Sequence, residues 1–142
     1  MANDPRLSTA WDELDAHFAT ILGDGTINLP TLGAGGFVPS TSLKLAVTLT
    51  NVGTGTPLVG LGASGNELYG KVKQVSNDGM MSVQDRGYMT FAFVATNPAP
   101  NVAVGVDGTG KVTQTAANKQ AVCVGFVVDP ATGNTVCLVK KN

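Results

Sequence analysis

Apolar and polar residues alternate most regularly between residues 66 and 94, which read NELYGKVKQVSNDGMMSVQDRGYMTFAFV. A period of two marks a strand with one buried face. Residues 68–75 predict one strand and residues 80–86 its return, joined by Ser76-Asn77-Asp78-Gly79. Asp-Gly supplies the positive φ that a tight hairpin turn requires. Gly87 interrupts the alternation, as a bulge or a sheet corner does. Residues 88–94 resume it, with Met89, Phe91 and Phe93 on one face and Tyr88, Thr90 and Ala92 on the other.

The same pattern extends on either side of this block. Residues 43–50 alternate cleanly and place Leu43, Leu45, Val47 and Leu49 on an inner face. Residues 58–61 predict a short strand, set at an edge by Pro57. Residues 102–106 and 111–115 predict a hairpin across Asp107-Gly108-Thr109-Gly110. Residues 121–128 and 135–139 predict the last hairpin. Val122, Val124, Phe126 and Val128 share one face, and Cys123 and Val127 make the other apolar. That strand is expected to be buried on both sides. About eight short strands with frequent turns predict a mainly-β fold, a small antiparallel β-barrel or sandwich.

The N-terminal pattern is different. Leu7, Trp11, Leu14, Phe18 and Ile21 recur every three or four residues, with Asp12, Glu13, Asp15 and His17 elsewhere around the cylinder. This predicts an amphipathic helix over residues 4–23. Asp4 is a good N-cap, Pro5 fits the first helical position, and Gly23 can end the helix in a left-handed conformation. Its apolar stripe is covered either by the chain's own β domain or by a neighbouring subunit. Residues 24–42, DGTINLPTLGAGGFVPSTS, show no periodicity and are rich in glycine and proline. They predict an extended arm laid across another surface, or a flexible connection. The chain thus divides into an N-terminal helix and linker arm, residues 1–42, and a β-rich domain, residues 43–142.

Composition narrows the function. Of 142 residues, 43% are hydrophobic, enough for a core, yet only 13% are charged, about half the usual share. A surface so poor in charge suits cover by partners. The net charge of −1 gives no basic patch for nucleic acid. No apolar run reaches the roughly 18 residues that span a bilayer, so no membrane partner is expected. The opening MANDPRLSTAW lacks the basic-then-apolar order of a signal peptide, so export by that route is not expected.

Candidate chemistry is sparse. Gly60-Leu61-Gly62-Ala63-Ser64-Gly65 matches a dinucleotide fingerprint, but strand-like residues follow where a helix is needed. Residues 105–111 match most of a phosphate loop, but Val112 stands where Ser or Thr should hold magnesium. His17 is the only histidine, and with two separated cysteines it makes no zinc set. Asp78 reads as turn chemistry, and Asp85 with Arg86 as a surface pair. An enzyme, a cofactor and a metal are therefore not expected. If Val128 faces Thr135, Cys123 and Cys137 fall out of register in the last hairpin. They are expected to be free, buried thiols unless a slip or bulge brings them together.

Residues 43–139 resemble the small β-rich decoration, or cement, proteins of tailed bacteriophage capsids. The resemblance rests on VTLTNVGTGTPL, LYGKVKQVSNDGMMSVQDRGYMTF, VAVGVDGTGKV, AVCVGFVV and TVCLV. Within it, Gly70-Lys71-Val72 stands for the family's "G-x-V" strand and Val83-Gln84-Asp85-Arg86-Gly87 for its "V-Q-x-x-G" strand. The resemblance implies a β-tulip-like domain and a homotrimer on the outer capsid surface. It implies a chain made in the host cytoplasm that clamps neighbouring major capsid subunits. The helix lies outside the pattern. Trp11, Leu14 and Phe18 of the helix, and Asn77 and Asp78 at the turn, are the expected assembly contacts. The competing expectation is a carbohydrate- or receptor-binding β domain of a tail or cell surface.

Overall fold

A computed structural model describes residues 13–51, 55–94, 99–115, 120–129 and 131–142. Eleven strands follow one another among them: β1 (His17–Gly23), β2 (Thr31–Gly33), β3 (Gly36–Val38), β4 (Ala46–Thr50), β5 (Leu58–Gly60), β6 (Gly70–Val75), β7 (Met80–Phe91), β8 (Val104–Val106), β9 (Val112–Gln114), β10 (Ala121–Val128) and β11 (Thr135–Lys141). The fold is all-β over these residues. Strands β1, β5, β4, β6 and β7 close into a five-stranded barrel, because β1 pairs with both β5 and β7. Beyond the barrel, β7 continues into β11 and β10.

The expected helix over residues 4–23 is not what forms in its described part. Residues 13–15 turn, and His17–Gly23 is barrel strand β1. Phe18 and Leu22 point outward and are exposed, while Ile21 packs on the barrel core. Of the five apolar positions that suggested the helix, Phe18 and Ile21 lie on β1, on opposite faces of the strand. Pairing on two sides, with Thr20 and Ile21 β-branched, outweighs a helical pattern that has no partner face. Trp11 lies outside the described residues.

Two other expectations change. The strand at residues 58–60 is no edge: β4 pairs with it on one side and β1 on the other, and the β1 pairing is parallel. Conversely β10, expected to be buried on both sides, pairs in the sheet with β11 alone. It exposes Val124 and Phe126. The hairpins themselves form where the turn residues place them. Residues 80–86 and 88–94 were expected as two strands; residues 80–91 are one continuous β7, which ends at Phe91.

β7 serves two cores. Its first half lends Met81 and Val83 to the barrel interior, with Ile27, Val47, Val59, Val72 and Val75. Its second half lends Met89 and Phe91 to a second cluster, with Leu68, Val104, Val106, Val112 and both cysteines. β4 does the same with adjacent residues, Ala46 facing the second cluster and Val47 the first. The switch in β7 occurs at Gly87, whose φ is +99°. Around it Tyr88 N donates to Leu14 O and Glu13 N to Tyr88 O, both at 2.9 Å. The buried Gln84 amide splints the corner by donating to Arg86 O at 3.1 Å and Tyr88 O at 2.9 Å. A Cβ at Gly87 would lie 2.6 Å from Asp15 O and 2.7 Å from Leu14 O. Gly70 in β6 meets the same limit: its Cβ would lie 2.1 Å from Gln84 O.

Gly87→Ala should therefore cost about 3 kcal/mol of stability, from strained φ and displaced carbonyls. Gly125→Ala, where a Cβ meets nothing within 4 Å, should stay within about 0.5 kcal/mol of the parent. Urea unfolding midpoints of the two variants check this; equal midpoints would contradict it.

Candidate functional site

Between β1 and β4 the chain leaves the barrel and returns. From Gly25 to Leu43 it carries no charged residue. Ile27 is buried in the barrel core and roots the excursion. Above it, Asn28 and three successive residues form a clasp. Asn28 N donates to Ser42 Oγ at 2.9 Å, and Thr41 N donates to Asn28 Oδ1 at 2.9 Å. Ser40 Oγ donates to Asn28 O and accepts from Ser42 N. Asn, Ser and Thr do this because their short polar chains reach nearby backbone groups. The expected linker is thus an ordered arm with a closed stem.

The arm ends in the hairpin β2–β3. Leu32 pairs with Phe37 across it, and Ala34-Gly35 make the tip. Leu32 is 84% exposed and Phe37 67%. Leu29 and Val38 are exposed as well. Leu32 and Phe37 share one face of the hairpin and Val38 lies on the other, and covering these exposed apolar side chains is favourable, at about 25 cal/mol per Å². The sequence held the signal in Leu32-Gly33-Ala34-Gly35-Gly36-Phe37, a glycine turn between apolar residues. The absence of longer periodicity concealed it.

The arm's origin is held by Asp24. Its Oδ1 accepts from Thr26 N at 2.9 Å and Thr26 Oγ1 at 2.6 Å, and its Oδ2 from Thr50 Oγ1 at 2.9 Å. Thr26 Oγ1 in turn accepts from Leu61 N at 3.0 Å. Partial burial would raise the pKa of Asp24, but the hydrogen bonds from Thr26 and Thr50 outweigh it and hold the carboxyl below its usual value.

The expected contact residues divide. Leu14 and Phe18, 43% and 45% exposed, lie beside and on the outer face of β1. Asn77 and Asp78 are exposed at the β6–β7 turn, where Asp78 Oδ1 accepts from Met80 N at 3.0 Å. Leu22 pairs with Met80 next to that turn. The turn and the apolar outer face of β1 are therefore neighbours. Leu32 and Phe37 were not among the residues expected.

The two tempting motifs resolve into turns. Residues 60–65 leave β5 and reach β6 with no helix between. At residues 107–110, Asp107 Oδ1 accepts from Thr109 N at 2.7 Å and Lys111 N at 3.0 Å, which shapes a hairpin tip. His17 sits on β1 with Nδ1 2.6 Å from Asp85 Oδ1. Among the described residues no group of three or more His, Cys, Asp or Glu could hold a metal. Among them, too, no helix is long and apolar enough to cross a membrane.

One groove of about 490 Å³ is lined by Thr48, Leu49, Asn66, Glu67, Leu68, Tyr69, Gln120 and Lys141. Lys141 Nζ donates to Asp85 O at 3.0 Å and lies 5.6 Å from the Tyr69 ring centre. Burial lowers the pKa of Lys141 against the opposing pull of Asp85 and Glu67. Burial, with Asp85 second, raises that of Tyr69.

Asp107 also has a lowered pKa, its burial outweighed by hydrogen bonds from Thr109 and Lys111. Depressed carboxyl pKa values stabilise the fold above the unfolded value, about 4, and that stability is lost as pH falls through the folded values. Asp24→Ala with Asp107→Ala should lower the urea midpoint at neutral pH. Its gap to the parent should narrow as the pH falls below about 4. A gap that stays constant would show that neither carboxylate is linked to folding. No protein-family model and no characterised protein matches the chain.

Proposed function

We propose that this chain is a structural virion protein that binds the outer surface of an icosahedral phage capsid and cements neighbouring major capsid subunits. The apolar, uncharged β2–β3 arm carries the proposal. A clamp needs a rigid body and a projection that buries well against another protein. The barrel and the arm supply both, and the resemblance of residues 43–139 to capsid decoration proteins points the same way. The expected homotrimer supplies multivalency: several weak arm contacts on one lattice raise avidity by about 10²–10⁴. Binding the assembled lattice and not free subunits stabilises the shell by mass action. In this reading the chain is made in the host cytoplasm, has no catalytic role, and works on the virion surface.

The polar groove at Tyr69, Glu67 and Lys141 favours a second reading, a carbohydrate- or receptor-binding domain. Its hydrogen-bonding side chains around a half-buried ring suit a sugar.

Purified protein should co-sediment with capsids that lack it and not with unassembled capsid subunits. Occupied capsids should survive a higher temperature. Leu32→Ser with Phe37→Ser should leave β-type circular dichroism unchanged, because neither side chain is in a core. It should weaken capsid binding by roughly tenfold or more. Binding indifferent to this change would remove the arm from the interface. Equal binding to free subunits, or glycan binding lost on Tyr69→Ala, would favour the second reading.

A further inference from the structure

The last hairpin places its two thiols in contact. Phe126 pairs with Cys137 and Cys123 with Val139, and the register shifts between Cys123 and Gly125. That bulge changes the offset between the two cysteines from three positions to two, so they share a face as diagonal neighbours. Both are fully buried, and their Sγ atoms are 3.1 Å apart. They are unbridged. The other residues of their buried cluster are apolar, including Phe91, Ala121 and Val139.

We propose that Cys123 and Cys137 are a modification site: they close to an intramolecular disulfide when the folded protein meets a small disulfide oxidant such as oxidised glutathione. A bond of about 2.05 Å asks the sulfurs to approach by roughly 1 Å. One cysteine thiolate attacks a sulfur of oxidised glutathione and releases one glutathione. The second thiolate attacks the mixed disulfide and releases the other. The pair loses two protons and two electrons, and the oxidant becomes two glutathione thiols.

The bridge would tie the end strand of the sheet to its neighbour. β10 pairs in the sheet with β11 alone; besides this it is joined by backbone links to residues 101–103, by Ala121 and Cys123 in the buried cluster and by the Phe126 ring against Phe93. A bridge from β10 to β11 closes a loop of about 15 residues and should shift the folding equilibrium about 100-fold towards the native state. Burial, with the Cys123 thiol second, pushes up the pKa of the Cys137 thiol. Oxidation of the native protein is therefore slow and accelerates with pH.

The test is incubation of the reduced, folded protein with oxidised glutathione at mildly alkaline pH, followed by intact-mass measurement and alkylation after unfolding. The expected product is a monomer lighter by two hydrogens, with no alkylatable thiol and a higher urea midpoint. Cys123→Ser and Cys137→Ser should each abolish that product. The incubation is repeated in urea just below the unfolding transition, so that access through the β10 edge does not decide the result. Thiols that remain reduced under both conditions would overturn the proposal. So would a persistent glutathione adduct, a covalent dimer as main product, or a bridged form less stable than the reduced one.

Discussion

At Gly87 a single strand has to leave one hydrophobic core and enter another without breaking its hydrogen-bonded ladder. The backbone does so at a φ of +99° with the carbonyls of Leu14 and Asp15 standing where a side chain would be. Only glycine meets both conditions. Upstream, β7 is flanked by β1 and β6 and closes the barrel; downstream it carries β11, and β11 carries β10. The buried Gln84 amide ties the carbonyls of Arg86 and Tyr88 on either side of the corner. Both cores, and the wall from which the arm springs, are therefore placed by one corner. The cost of misplacing it is shared by every element packed on β7.

The β hairpins were legible in the sequence because their information is local. Asp78-Gly79, Asp107-Gly108-Thr109-Gly110 and the loop after Asp129 each announce a turn, and the alternation on both sides fixes the strands. β10 begins and ends where its apolar run does. The N-terminal strand was not legible, because its reason for being a strand is remote. Residues 17–23 form β1 by pairing with residues 58–59 and 80–86, and neither partner can be inferred from the stretch itself. The edge status of β5 and β10 was misread for the same cause: a barrel's closure and a sheet's end are properties of topology. The cysteine contact depended on one bulged residue, which a count of opposed positions cannot supply.

Of the proposed assembly contacts, the polar ones were more legible in the sequence than the apolar ones. Asn77 and Asp78 are legible as a turn tip because turn chemistry and exposure coincide there. Phe18 was legible as apolar but on the wrong element, so its outward direction on β1 was not. Leu32 and Phe37 were hidden in a stretch whose glycines and prolines suggested slack. Order there comes from Ile27 below and the Asn28–Ser42 clasp above, which are fifteen residues of chain held at both ends.

That order matters for how an apolar projection can serve recognition. A slack segment must lose its backbone freedom at the moment of binding, at about 1–2 kcal/mol per residue. The clasp and the β2–β3 pairing have already fixed most of that freedom in the free protein. What remains to be ordered on contact is the rotamer freedom of a few side chains, about 0.5–1.5 kcal/mol each. The gain from covering Leu32 and Phe37 is then spent less on ordering the arm. The near absence of charge has the same sense: no ion must be stripped of water for the arm to enter an apolar seat. The nearest charges along the chain, Asp24 and Lys44, flank the arm at its two ends and leave its length uncharged.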